Sequence, residues 1–148
     1  MPVTKSYNPD DWQVVFNNIL IAGYAKGTFL KVTRNAESAA MEAGGHGDVV
    51  IVGKTDRTGK VEFTLQRESP VNALLSAQLA AFEARPRVRG AGRGPFLAKN
   101  LNSPATLATA ANAVIEKVPD MEGADTNSPI VWTLLLDDAT MFNAGAVA

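Results

Sequence analysis

From Lys60 to Gln66 apolar and polar side chains alternate strictly. Val61, Phe63 and Leu65 point one way and Lys60, Glu62, Thr64 and Gln66 the other, the pattern of a half-buried strand. Asp56–Gly59 before it carries turn chemistry, with Asp able to bond nearby backbone N–H groups and Gly suited to positive φ. After it, Ser69 offers a helix cap and Pro70 a first helical position, where no N–H is missed. Val71, Leu74, Leu75, Leu79 and Phe82 then recur at helical spacing, which predicts a helix over about 70–84 with one apolar stripe. Strand patterns recur at Trp12–Phe16, Ile19–Ile21, Thr28–Arg34, Asp48–Val52 and Pro95–Asn100. Ile130–Leu136 adds another, with Ile130, Trp132, Leu134 and Leu136 on one face. Asn17-Asn18 is a tight-turn candidate, because Asn tolerates left-handed backbone.

Two stretches are locally ambiguous. Ala36–Met41 favours a short helix by propensity, inside a long loop or irregular hairpin that runs from Asn35 to Asp48. Thr106–Lys117 is rich in alanine, yet Leu107, Thr109, Ala111, Ala113 and Ile115 keep a period of two. The sum is a mainly β (α+β) chain: an antiparallel sandwich or barrel of about seven strands flanked by one helix. Its expected core includes Val61, Phe63, Leu65, Leu75, Leu79, Phe82 and Trp132. Three parts are expected: an extended N-terminal arm at 1–11, a single β domain with its helix at 12–137, and a C-terminal arm at 138–148.

With 148 residues, 46% hydrophobic and 20% charged, the chain has the length and composition of one globular domain. A net charge of −1 carries no overall nucleic-acid footprint. The absence of cysteine removes disulfides, thiolate metal sites and cysteine nucleophiles. No apolar run is long enough to span a bilayer, so no membrane anchor is expected.

Candidate chemistry is sparse. His46, the single histidine, sits among glycines at a loop tip and reads as a solvated residue. Asp137 and Asp138 are adjacent and point apart in a strand, while Asp120 and Glu122 lie in a polar loop. Gly90-Ala-Gly92-Arg-Gly94 lacks the Lys-Ser/Thr of a P-loop. Arg85, Arg87, Arg89 and Arg93 could pair with phosphate or acidic groups, but no aromatics are interleaved for base stacking. No catalytic residue, cofactor site or metal site is expected, and the chain reads as a scaffold with exposed strand edges that another subunit could pair.

The ordered set Gly23-Tyr-Ala-Lys-Gly-Thr-Phe-Leu-Lys-Val-Thr-Arg-Asn35, Gly44-Gly-His-Gly-Asp-Val49, Asp56-Arg-Thr-Gly59, Ser69-Pro70-Val-Asn72 and Ile115-Glu-Lys-Val-Pro-Asp120, with Trp132 and Met141, resembles the tail tube proteins of contractile-tailed phages. The resemblance runs from Trp12 to Met141. The chain departs from it at Ala36–Ala40, where the family has a bulky residue, and near Gly123, where it has an aromatic. The resemblance implies a strand at Thr106–Lys117. It also implies hexameric rings stacked into an inner tube inside a contractile sheath, a conduit for genome delivery into the host. The implied partners are the chain itself, sheath protein, a tape-measure protein and baseplate or tail-terminator proteins, with DNA passing the lumen without specific binding. The implied location is the virion tail, with assembly in the host cytoplasm.

Within that frame, Asn35, Glu37, Met41, Gly44, Gly45, His46 and Asp48 form the expected inter-ring stacking hairpin. Arg85, Arg87, Arg89 and Arg93 form an expected sheath-facing basic loop. The strands Thr28–Arg34 and Val49–Val52 are candidates for the inner wall, which should be polar or acidic because a basic wall would hold DNA phosphates. The competing readings are a tube subunit of a related injection or secretion machine, a small monomeric β-barrel that binds a lipid or sugar, and a nucleotide enzyme that uses the basic glycine loop.

Overall fold

The computed structural model describes residues 12–87, 91–101, 103–123 and 128–143. The expected arm at 1–11, Arg89 and the end of the tail at 144–148 lie outside them. The chain is mainly β and antiparallel, with one helix. In order it forms β1 (Trp12–Phe16), β2 (Ile19–Leu20), β3 (Leu30–Arg34), β4 (Ala39–Ala43), β5 (Val49–Gly53) and β6 (Gly59–Leu65). Then come α1 (Val71–Ala84), β7 (Arg93–Asn100), β8 (Ser103–Ile115), β9 (Ile130–Leu136) and β10 (Thr140–Phe142). The main sheet runs β2-β1-β7-β8-β9-β6-β3, with β10 also on β8, while β4 and β5 pair only with each other.

The β1–β2 hairpin turns through Asn17 and Asn18, both with positive φ (47° and 67°), as a two-residue hairpin that matches strand twist requires. β6 buries Val61, Phe63 and Leu65 on one face, and β9 buries Trp132, Leu134 and Leu136 beside them. α1 closes this face with Val71, Leu75 and Leu79, each buried side chain contributing about 1.5–3 kcal/mol. The stripe is narrower than the spacing predicted. Leu74 is exposed, and Phe82 is half-buried under the Arg93 guanidinium, 5.3 Å from its ring centroid.

Ser69 does not cap α1. Its hydroxyl donates to the Ala22 carbonyl at 2.8 Å, so it ties the helix entry to the segment after β2, and Pro70 begins the helix with φ −66° and ψ −17°. Asn72 is a second tie. Its amide donates to the Gln66 carbonyl at 3.0 Å, and its Oδ1 accepts the Trp132 indole N–H at 2.9 Å. A buried indole N–H needs such a partner. At the other end of α1, Gly92 has φ +69°, and a Cβ there would collide with the Gln78 carbonyl and Phe82. Gly92 therefore serves close packing against the helix, and β7 already begins at Arg93, inside the expected basic loop.

The strand implied at Thr106–Lys117 forms, against its alanine content, and ends at Ile115. Among the described side chains of β8, Ala108 and Ala110, then Ala113 and Ile115 are buried. Gly94 pairs with Ala113 and Phe96 with Ala110, so two residues of β8, Ala111 and Asn112, face Pro95 alone. This bulge shifts the side-chain phase, so Leu107, Thr109 and Ala111 do not share the buried face of Ala113 and Ile115.

Asp137, just after β9, holds the bulge. Its carboxylate accepts the Asn112 backbone N–H at 3.2 Å and side-chain amide at 3.1 Å, and its own N–H donates to the Asn112 carbonyl at 3.1 Å. Partial burial raises the Asp137 pKa, but the hydrogen bonds from Asn112 and Asp138 outweigh it and hold the carboxyl below its ordinary value. A lowered folded pKa adds stability that is present above the unfolded value, about 3.9, and lost as pH falls through the folded one. The Tm of the protein is therefore expected to drop on acidification below about pH 4, and Asp137→Asn to flatten that part of the Tm–pH curve, as thermal melts across pH will read.

Candidate assembly surface

β3 and β6 run on past the main sheet and become β4 and β5, so the two-stranded sheet is the outer half of one long ribbon. The Lys54 N–H donates to the Ser38 carbonyl at 2.8 Å, and the Asn35 N–H to the Thr58 carbonyl at 3.0 Å, across the join. Asn35 Nδ2 also donates to Thr58 Oγ1 at 3.1 Å. The Asp56 carboxylate accepts the Thr58 N–H at 3.0 Å and its hydroxyl at 2.7 Å. Those bonds, the backbone one first, hold the Asp56 carboxyl below its ordinary value.

The join is clamped to the C-terminal segment. Arg34 donates from Nη2 at 2.7 Å and from Nε at 3.1 Å to the Ala139 carbonyl, and the Ala139 N–H donates to the Arg57 carbonyl at 2.7 Å. Gly59 does not supply a positive-φ turn position. It is the buried first residue of β6, and a Cβ there would sit 2.9 Å from both the Ala139 Cβ and the Thr33 carbonyl oxygen. β10 follows directly and pairs with β8, so the sheet extends past the boundary expected at Asp137. Nothing in the spacing of Arg34, Gly59 and Ala139 signals this clamp, because its members meet only after the sheet has formed.

Beyond the clamp, Ala36–Met41 is not helical, since Ala39–Met41 enter β4. The register pairs Met41 with Ile51 and Ala43 with Val49 on one face, and Ala40 with Val52 and Glu42 with Val50 on the other. Met41, Val49, Val50 and Ile51 are between 57% and 74% exposed. An isolated two-stranded hairpin is marginal in water, and a contiguous exposed apolar face marks an interaction site.

Among the expected stacking residues, Asn35 lies in the join, Glu37 between join and hairpin, and Met41 in the middle of the apolar face. Gly44, Gly45, His46 and Asp48 form the tip, where the Gly44 N–H donates to the Asp48 carbonyl at 2.6 Å. Among the described residues no group of His, Asp and Glu is arranged to hold a metal ion. The basic loop lies apart from the hairpin. Arg85 and Arg87 are exposed just after α1, and Arg93 is tied down by its bond to the Pro86 carbonyl and by Phe82.

The outward face of β3, β6 and β9 mixes balanced charges and threonines with Val131 and Leu135. Lys31, Glu62 and Thr133 share one row, and Thr33, Lys60 and Leu135 the next, with Lys60 Nζ 3.7 Å from Glu116. A cleft of about 810 Å³ opens beside the start of β3, lined by Trp12, Leu20, Tyr24, Lys26, Phe29 and Leu101 among others. Tyr24 leans on Phe29 with ring centroids 4.7 Å apart, and burial pushes its phenol pKa up.

No protein-family model and no curated protein matches the sequence. Solved structures share the fold. A chain of the tube-terminating cap of the anti-feeding prophage superposes with a TM-score of 0.59 at 8% identity, over 97% of this chain and 95% of its own. A chain of the sheath/tube terminator of the extracellular contractile injection system PVC, in its extended state, gives 0.58 at 10% identity, over 96% and 100%. A chain of the sheath–tube complex of that system gives 0.55 at 11% identity, over 88% and 86%. This chain therefore has the fold of components of contractile injection machines.

Proposed function

We propose that this protein is a structural subunit of the inner tube of a contractile phage tail, closing hexameric rings that stack inside a sheath and conduct the genome into the host. The observation that carries the reading is the β4–β5 hairpin, apolar and exposed along Met41, Ile51 and Val49 yet fixed at its base by Arg34 and Ala139. Such an arm has little to do in a monomer and suits insertion into a neighbour. The shared fold with injection-machine components supports the same role. The charges of Lys31, Lys60, Glu62 and Glu116 balance and leave no net positive wall to retain DNA phosphates, so DNA passes without specific binding. The Arg85, Arg87, Arg89 and Arg93 loop faces the sheath protein in this reading. Tape-measure and baseplate or terminator proteins meet the two ends of the tube, in the virion tail and, during assembly, in the host cytoplasm.

A tube-terminating ring is the second reading, favoured by the two terminator complexes among the structures that share the fold. Negative-stain microscopy of the purified, concentrated protein separates the two. Hollow tubes of stacked rings are the expected result, discrete rings that never lengthen indicate a terminator, and compact monomers alone overturn both.

A further inference from the structure

The hairpin and the cleft lie at opposite ends of the same strand pair. Arg34 and Gly59 are paired where β3 and β6 lead into the hairpin, and Leu30 and Phe63 are paired near the other end. Phe29 and Gln66, one residue beyond each strand, line the cleft. Five residue steps from Phe29 to Arg34 separate the two surfaces by about 17 Å of strand, before the hairpin projects a similar distance further.

The two surfaces match chemically. The hairpin offers Met41, Ile51 and Val49 on one exposed face, with Asp48 beside Val49 at its tip, while Glu42 lies on the opposite face. The cleft offers Leu20, Phe29 and Leu101, and among the described residues of its lining Lys26 is the one that carries a charge. Its volume, about 810 Å³, falls in the range of clefts that enclose several side-chain-sized groups.

We infer that the cleft is the receptor for the β4–β5 hairpin of a second copy of this chain, the copy in the next ring. A donor surface at one end and its acceptor at the other make a heterologous, head-to-tail contact. Such a contact repeats along an axis where its rotation does not close a ring. The inference rests on the tube reading, and adds which surface receives the hairpin and what chemistry holds it: apolar side chains in an aromatic-lined cleft, with Lys26 facing Asp48 at the hairpin tip.

The cysteine-free chain allows a direct test. Copies carrying Ile51→Cys are mixed with copies carrying Leu20→Cys, both at exposed positions, assembled and oxidised, and the linked peptides are identified by mass spectrometry. Val131→Cys, exposed on the outward face of β9, replaces Leu20→Cys as the control. The expected result is a 51–20 disulfide in the assembled fraction, about 10-fold or more above the 51–131 product, because docking raises the local thiol concentration. Tubes in which 51–20 linkage does not exceed 51–131 overturn this inference and leave the tube reading standing. A wild-type protein that never assembles overturns both. If Ile51→Cys itself blocks assembly, Val49→Cys takes its place in the mixture, read by the same criterion. Independently, Leu20→Glu should keep the wild-type Tm and lose the tubes, and a Leu20→Glu protein that still forms wild-type tubes overturns the cleft as receptor.

Discussion

Replacing Ala39–Gly53 with an Asn-Gly turn that joins Ser38 to Lys54 is expected to leave a folded subunit that no longer stacks. The excised residues are almost all exposed and add none of the buried core, which lies in β1, β6–β9, α1 and the segments beside them. The Ser38–Lys54 hydrogen bond and the clamp of Arg34 on Ala139 remain. The loss of stability should be about 1 kcal/mol or less, a Tm shift of about 4 °C at most for a domain of this size. Loss of stacking should be complete in electron micrographs, because no other apolar arm projects from the described residues. A Met41→Asp/Ile51→Asp variant keeps the hairpin and its length, and should fail to assemble in the same way. If either variant formed regular tubes, the hairpin would not be the stacking element.

The largest effect on stability is expected at Trp132. Its ring is buried beneath α1 in the β6–β9 face, and its N–H is held by Asn72 Oδ1 at 2.9 Å. Trp132→Ala should cost about 3–5 kcal/mol through the cavity it leaves, against a total of about 5–15 kcal/mol for a domain. Trp132→Phe keeps most of the volume and strands the Asn72 acceptor. It should cost about 1–3 kcal/mol, near the penalty for an unmade buried hydrogen bond. Urea unfolding followed by circular dichroism reads both, and the order Ala below Phe below wild type is the prediction. Equal midpoints for the two variants would mean that the hydrogen bond, and not the ring volume, sets the stability here.

The strands and the helix were legible because burial imposes a period. Val61, Phe63 and Leu65 alternate, Trp132, Leu134 and Leu136 alternate, and Val71, Leu75 and Leu79 recur every four residues, all before any partner is known. The Asn17-Asn18 turn was legible for a different local reason, since both residues tolerate positive φ. Misreadings fell where a distant group competes with a local preference. Ser69 has the chemistry of a cap, but the Ala22 carbonyl takes its hydroxyl. Alanine-rich Ala36–Met41 has helical propensity, but its strand partner at Val49–Gly53 overrides it. The strand that the family resemblance implies at Thr106–Lys117 forms as far as Ile115, where pairing with Arg93–Asn100 overrides the same propensity.

The sequence by itself determined the class of the fold, the mainly antiparallel sheet and its single helix, because periodicity is a one-dimensional record of which side chains leave water. It also marked 35–48 as an unusual stretch. Only the tertiary structure decided that this stretch is half of a paired, outward-facing hairpin, that Arg34, Gly59 and Ala139 clamp its base, and that an apolar cleft opens at the far end of the same strands. Those features join residues up to 105 positions apart. A local pattern carries no trace of contacts that exist only once the sheet has brought both ends together.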